Sequence, residues 1–376
     1  MPEAFKEKFS ISLIRTIADG IAAQAKGFNA AAFVGTASEN LSNLELKQRS
    51  TQITLALDQH LQGDFSELCD HLVATLTPMQ SHDDLMPDQA QSIDGWAIMP
   101  MADFITLRGL RQPSIDKALW ALQQMTKRFT AEFAIRPFLL ERTSETLEKL
   151  QQWVVDPSHH VRRLVSEGTR PRLPWGIQLT DFVREPGPVL SLLSQLKDDN
   201  SEYVRRSVAN NLNDIGKDHP ERLIETARLW NKKTTPFRQK LVRHACRTLL
   251  KKGNPEVLDI FGYAPPQLKN VSITLSKKKV CQGDDLLITL KADSRIDQEQ
   301  SLMIDYRVYH KKANGQLSPK VFKWKILNLA ANGKLSASKK HSFKPVTTRK
   351  YYAGEHKIAV LINGVEYSAN TFYLEE

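Results

Sequence analysis

One short run of residues recurs along this chain and constrains its fold more than any other feature. Val161-Arg162-Arg163-Leu164-Val165 returns 43 residues later as Val204-Arg205-Arg206-Ser207-Val208, and more loosely, 38 residues on, as Val242-Arg243-His244-Ala245-Cys246. A period near 40 in a helical sequence is the mark of HEAT-type repeats. One such unit cannot bury its own apolar face, so several must stack. Each copy carries basic side chains at the same helical position, so the stack presents a basic surface suited to a long polyanion.

Residues 1 to about 262 read as helical. Apolar periodicity predicts helices over 11–25, 50–61 and 65–76, then pairs over 114–127 and 130–141, 144–155 and 160–168, 188–197 and 202–216, 220–232 and 236–252. Ser144 and Ser201 read as N-caps, and Gly216 and Gly253 as stops. The polar, proline-containing stretch 77–91 reads as an exposed loop.

Gly262-Tyr263-Ala264-Pro265-Pro266 breaks the pattern, and beyond it the period falls to two. Leu286/Ile288/Leu290, Leu302/Ile304/Tyr306/Val308, Phe322/Trp324/Ile326 and Ile358/Val360/Ile362 alternate with polar neighbours. Asn314-Gly315, Asn332-Gly333 and Asn363-Gly364 are hairpin-type turn signals. The expected architecture is an all-α HEAT-like repeat superhelix (an α-solenoid) over 1–262. A small all-β immunoglobulin-like sandwich of six or seven strands follows over 266–376.

Charge separates the two parts. The chain carries 52 Lys/Arg against 42 Asp/Glu, a net +10. Residues 266–376 alone hold 19 basic and 10 acidic side chains, so nearly all the excess lies there. That asymmetry favours a nucleic-acid partner. No apolar run approaches a membrane span, the polar start from Met1 to Lys8 does not read as a signal peptide, and no membrane partner is expected. Cys69, Cys246 and Cys281 are scattered, without a CxxC, and His159-His160 lacks ligand spacing. Disulfides, a metal site and a cofactor are therefore not expected, and a cytoplasmic location is.

Several constellations could carry chemistry. Arg163 and Glu167 are four apart and share a helix face. Behind them, Thr169-Arg170-Pro171-Arg172-Leu173-Pro174-Trp175-Gly176 is a stiff loop with two arginines and a tryptophan. In the next copy Arg206, Asn210 and Asp214 fall on one face, with Asn211 and Asn213 nearby. So many Asn/Asp residues work against helix propensity and mark a functional surface. Arg243, Arg247 and Lys251 form a stripe that could follow phosphates. In 129–139, read as an apolar helix, Glu132 and Arg136 are four apart and could pair.

The runs Arg162 to Gly176, Tyr203 to Asp214 and Arg243 to Leu249 resemble, closely and over nearly the whole chain, the HEAT-like bacterial DNA glycosylases of the AlkC type. The longer branch of that family has a C-terminal immunoglobulin-like domain. The resemblance implies monofunctional hydrolysis of the N-glycosidic bond of alkylated bases in duplex DNA, without flipping the base. It implies 3-methylcytosine and 3-methyladenine as substrates, with 1-methyladenine a lesser one. It carries catalytic roles to Glu132, Glu167 and Asp214, with Trp175 and Arg163 beside them. DNA contacts are expected from Arg162, Arg170, Arg172, Arg206, Asn210, Arg243, His244, Arg247 and Lys251. On the sandwich they are expected from Lys311, Lys312, Lys339 and Lys340. The partner is then double-stranded DNA bound by a monomer at the bacterial nucleoid. Two rivals stay open: a non-enzymatic HEAT-repeat damage sensor, and a protein-interaction scaffold.

Overall fold

The computed structural model describes residues 5–86, 92–232, 235–347 and 349–375. Met1–Ala4, and Pro87–Gln91 of the expected 77–91 loop, lie outside them. The described helices are α1 (Ile11–Gln24), α2 (Ala30–Ser38), α3 (Leu46–His60), α4 (Phe65–Ala74), α5 (Ile98–Gly109), α6 (Asp116–Thr126), α7 (Arg136–Glu141) and α8 (Thr143–Trp153). They continue with α9 (His159–Gly168), α10 (Thr180–Arg184), α11 (Gly187–Leu196), α12 (Glu202–Asp218), α13 (Pro220–Asn231), α14 (Pro236–Ala245), α15 (Arg247–Lys252) and α16 (Pro255–Ile260). None is long and apolar enough to cross a membrane.

The chain packs as two units. One comprises Met1–His219 with Thr234–Ala245, the other Pro220–Lys233 with Cys246–Glu376. The change from helix to strand falls between α16 and β1 (Leu268–Leu275), so the second unit contains helices α13, α15 and α16 as well as the sandwich.

In the first unit the recurring Val-Arg-Arg run makes a repeated structure. Val161, Val204 and Val242 are all buried, and α9 packs on α12, which packs on α14. The first arginine of each of the first two copies turns back onto the loop before its own helix. Arg162 donates to the carbonyls of Asp156 and Pro157 at 2.8 and 2.9 Å, and Arg205 donates to those of Asp199 and Asn200. Those loops run over carbonyls that no helix satisfies, and a guanidinium has donors enough to take two at once.

Several boundaries differ from the sequence reading. Helix α8 begins after Arg142, so Ser144 is not its cap. Helix α12 runs through Gly216 to Asp218. The expected 236–252 helix is broken at Cys246, so Arg243, Arg247 and Lys251 do not form one continuous helical stripe. Gly253 does end α15, in the left-handed conformation. The described part of the 77–91 loop is pinned rather than free: Thr77 bridges to Ile93 through its backbone, and its carbonyl accepts from Arg128 Nε at 2.9 Å.

Among the described residues of the second unit eight strands follow: β1, β2 (Lys279–Cys281), β3 (Asp285–Ser294), β4 (Gln300–Lys311), β5 (Leu317–Leu329), β6 (Lys334–Ser342), β7 (Gly354–Ile362) and β8 (Val365–Glu375). They form two sheets, β1-β3-β6 and β2-β8-β7-β4-β5, closing on one apolar core. Asn314-Gly315 and Asn363-Gly364 turn the β4–β5 and β7–β8 hairpins, whereas Asn332-Gly333 carries the chain from one sheet to the other. A register shift after Ile304 turns Ile326 outward, 55% exposed, and Leu327 and Leu329 face the core instead.

Candidate active site

The site grows from α9. Ser158 caps it by accepting from the His160 amide at 3.2 Å, and Arg163 and Glu167 lie one turn apart on one face. Pro137 at the start of α7 delays that helix until Arg136, so residues 132–135 form a turn and not the helix expected there. The turn separates Glu132 from Arg136. Glu132 Oε2 meets Arg163 Nη1 at 2.6 Å and accepts from Thr130 Oγ1 at 2.9 Å.

Arg136 goes the other way and is fully buried. It donates to the carbonyls of Gly168 and Arg170, both at 2.8 Å, and of Ile177 at 2.7 Å. Burial and the neighbouring Arg170 charge push its pKa down to about 10. A buried cation clasped by three carbonyls fixes both ends of the 168–177 loop.

Arg170, expected on phosphate, is instead the hub of the acids. Its Nη1 reaches Glu167 Oε1 at 2.6 Å and its Nε reaches Asp214 Oδ2 at 2.7 Å. Burial disfavours its charge, but the hydrogen bond to Asp214 and the charges of Glu167 and Asp214 outweigh that and raise its pKa. Ser207 Oγ donates to Glu167 Oε2 at 2.6 Å, and Lys217 Nζ to Asp214 Oδ1 at 2.7 Å. Asn211 is buried between α9 and α12 and bonds the Ser166 carbonyl at 2.8 Å and Thr169 Oγ1 at 3.1 Å. The Asn/Asp richness of α12 is thus partly a clasp between repeats.

A cleft of about 360 Å³ opens beside this network. Trp96, Phe129, Phe133, Leu173 and Trp175 supply apolar walls, and Glu132 and Glu167 reach into it. Trp175 is 69% exposed and holds φ at +66°. Asp214 stands deeper, behind Arg170, with its side chain 2% exposed. Sequence reasoning gave Tyr203 no role. Its ring lies 5.1 Å from the Arg163 guanidinium and edge-on to His159 and His160. Burial raises its pKa, Arg163 opposes this, and Glu132 and Glu167 add to it. Its place in the Tyr203-to-Asp214 run, on the repeat's basic face, was the available signal.

The other expected DNA contacts divide. Arg162 is bound to Asp199 at 2.6 and 3.0 Å and Arg172 to Asp218 at 2.7 Å, so both guanidiniums already hold a carboxylate. Arg206 is exposed, with Glu202 at 3.4 Å. Asn210 Oδ1 meets His244 Nε2 at 3.1 Å. Arg243 and Arg247 are half-buried and Lys251 is exposed. On the sandwich Lys312 is exposed, Lys311 and Lys339 are half-buried, and Lys340 is exposed but 3.2 Å from Asp285.

Three likenesses bear on this geometry. Residues 269–376 match the family model of the C-terminal immunoglobulin-like domain of the uncharacterised protein YhaZ. The chain is 36% identical over 361 residues to the uncharacterised protein YhaZ of Bacillus subtilis (strain 168), covering 96% of each. It matches a solved structure of Pseudomonas fluorescens alkylpurine DNA glycosylase AlkC, bound to DNA containing an abasic site analog, with a TM-score of 0.87. Identity there is 32%, over 100% of both chains.

The chain belongs to the AlkC-type family. It is of the form that carries a C-terminal immunoglobulin-like domain, and its fold is that family's: helical first, sandwich after.

Proposed function

We propose that this protein is a monofunctional DNA glycosylase that hydrolyses the N-glycosidic bond of cationic alkylated bases in duplex DNA. The substrates proposed are 3-methylcytosine and 3-methyladenine, with 1-methyladenine weaker. The observation that carries the reading is the pairing of Glu132 and Glu167 at the wall of one apolar cleft beside Trp175, in a chain so similar to a glycosylase bound to an abasic analog.

A base methylated at N3 is positively charged and leaves without being protonated. The enzyme's tasks are to stabilise an oxocarbenium-like sugar and to deliver water to C1′. Fixed carboxylates oppose the growing positive charge in a poorly hydrated cleft, and one of them can orient or deprotonate the water. Glu132 and Glu167 line the cleft and suit these roles. Asp214, tied behind Arg170, acts by fixing that arginine and adding negative charge. Trp175 offers a π face to the cationic base, worth about 1–2 kcal/mol when desolvated. The substrate is then selected by its charge and need not be flipped into an enclosing pocket.

The phosphate grip is assigned to Arg206, Asn210, Arg243, His244, Arg247 and Lys251, and on the sandwich to Lys311, Lys312, Lys339 and Lys340. The cytoplasm and its nucleoid are the proposed location, with one copy acting alone. The test is release of methylated bases from duplex DNA by the parent, Glu132→Gln, Glu167→Gln and Asp214→Asn. Loss of release with DNA binding retained supports the reading. Equal release by Glu167→Gln, or robust excision of uracil or 8-oxoguanine, overturns it.

A further inference from the structure

Lys47, the second residue of α3, donates from Nζ to the carbonyl of Trp175, 128 residues further along the chain. The acceptor needs such a partner. Trp175 holds φ at +66°, a left-handed conformation that bulky residues rarely adopt. Strain of that kind persists only where the surroundings over-determine it. Five other carbonyls of the loop are held by different groups: those of Gly168, Arg170 and Ile177 by Arg136, that of Leu173 by the Gly176 amide at 3.1 Å, and that of Pro171 by the Leu179 amide at 3.2 Å. The Trp175 carbonyl is the one that Lys47 takes.

Lys47 is also part of the cleft wall, its Nζ 5.9 Å from the centre of the Phe133 ring. Asp103 lies one turn of α5 beyond the cleft-lining Met99. Burial pushes the Asp103 carboxyl up to about 6, and the charge that opposes this is Lys47. The ammonium thus holds the strained carbonyl while its charge acts on the Asp103 carboxyl.

We infer that Lys47 is a positioning residue for the proposed reaction. Through its bond to the Trp175 carbonyl, it props the Trp175 backbone in the conformation that presents the indole to the departing base. The assignment rests on the glycosylase reading for its purpose, but the strut itself does not.

The experiment uses the full chain as Lys47→Met and Lys47→Arg. In Lys47→Met, amide hydrogen exchange across 173–177 should quicken about tenfold. Single-turnover release of 3-methyladenine should fall about tenfold, as expected for a misplaced group, while affinity for undamaged duplex stays within about twofold. Lys47→Arg, which keeps a donor, should recover both. Parental exchange and release in Lys47→Met, or no recovery in Lys47→Arg, overturns the assignment. If the parent releases no methylated base, the glycosylase reading fails, and the exchange measurement alone decides the strut.

Discussion

Arg163 lies closer to Glu132, at 2.6 Å, than to Glu167 one turn along its own helix, at 3.6 Å. An arginine placed by the repeat therefore serves an acid from a different repeat. The expected i,i+4 pair is the weaker of its two ion pairs.

That geometry makes Arg163 a ligand of the acids more than a free cation for phosphate. Arg163→Gln should lower single-turnover base release by about 10²-fold, on the scale of losing one preorganised electrostatic partner. Affinity for undamaged duplex, read by fluorescence anisotropy, should change little. A large loss of duplex affinity with release per bound complex unchanged would place Arg163 on the phosphate instead.

Arg170 should matter first for stability. Its removal leaves Glu167 and Asp214 buried without their shared partner, and breaking a buried pair from one side costs about 3–5 kcal/mol. Arg170→Met should therefore lower the melting temperature of the helical region by several degrees. Double substitution with Asp214→Asn should recover part of the loss.

Gly253 and Gly364 meet backbone to backbone. Both have positive φ, and a Cβ added at either would come within 2.8 Å of the other's Cα. Alanine at either position should destabilise by about 1–3 kcal/mol, from the left-handed backbone and the clash together. The midpoint of urea unfolding of the second unit reads this directly.

The sandwich should weaken in mild acid. Burial pushes His310 down to about 3 and His341 down to about 4, with Arg349 adding to both, from an ordinary value of 6.5. Between those values the unfolded chain binds protons that the folded one refuses. Stability should therefore fall as pH drops from about 6.5 towards 4, by roughly 1 kcal/mol per pH unit for each histidine. Urea midpoints at pH 7 and pH 5 measure the slope, and His341→Gln should flatten it.

Exposed lysines on the sandwich test its part in DNA binding. The triple change Lys278→Glu, Lys312→Glu, Lys350→Glu should weaken duplex affinity. It should also reduce the slope of log affinity against log salt by about 0.9 for each phosphate no longer neutralised. An unchanged slope would remove the sandwich from the interface.

Much of this molecule could be read from its residues in order. The Val-Arg-Arg recurrence predicted stacked helices, and the change of period after Pro266 predicted the sandwich. Both rest on local patterning, which decides which face of an element must be buried. Glu167 and Trp175 could be singled out because the motif run that holds them is long and unusual, and Glu132 only through the family resemblance.

What the order could not settle was partnership. Arg162 and Arg170 look alike in the sequence, yet Arg162 secures a loop and Arg170 joins two acids on neighbouring helices. Glu132 and Arg136 could pair by spacing alone, but the turn before Pro137 sends one to Arg163 and the other to three carbonyls. A charge has no periodicity that names its counter-ion. Its partner is whichever opposite group the packing of distant elements brings within about 3 Å, so only the tertiary structure decided which arginines hold the acids.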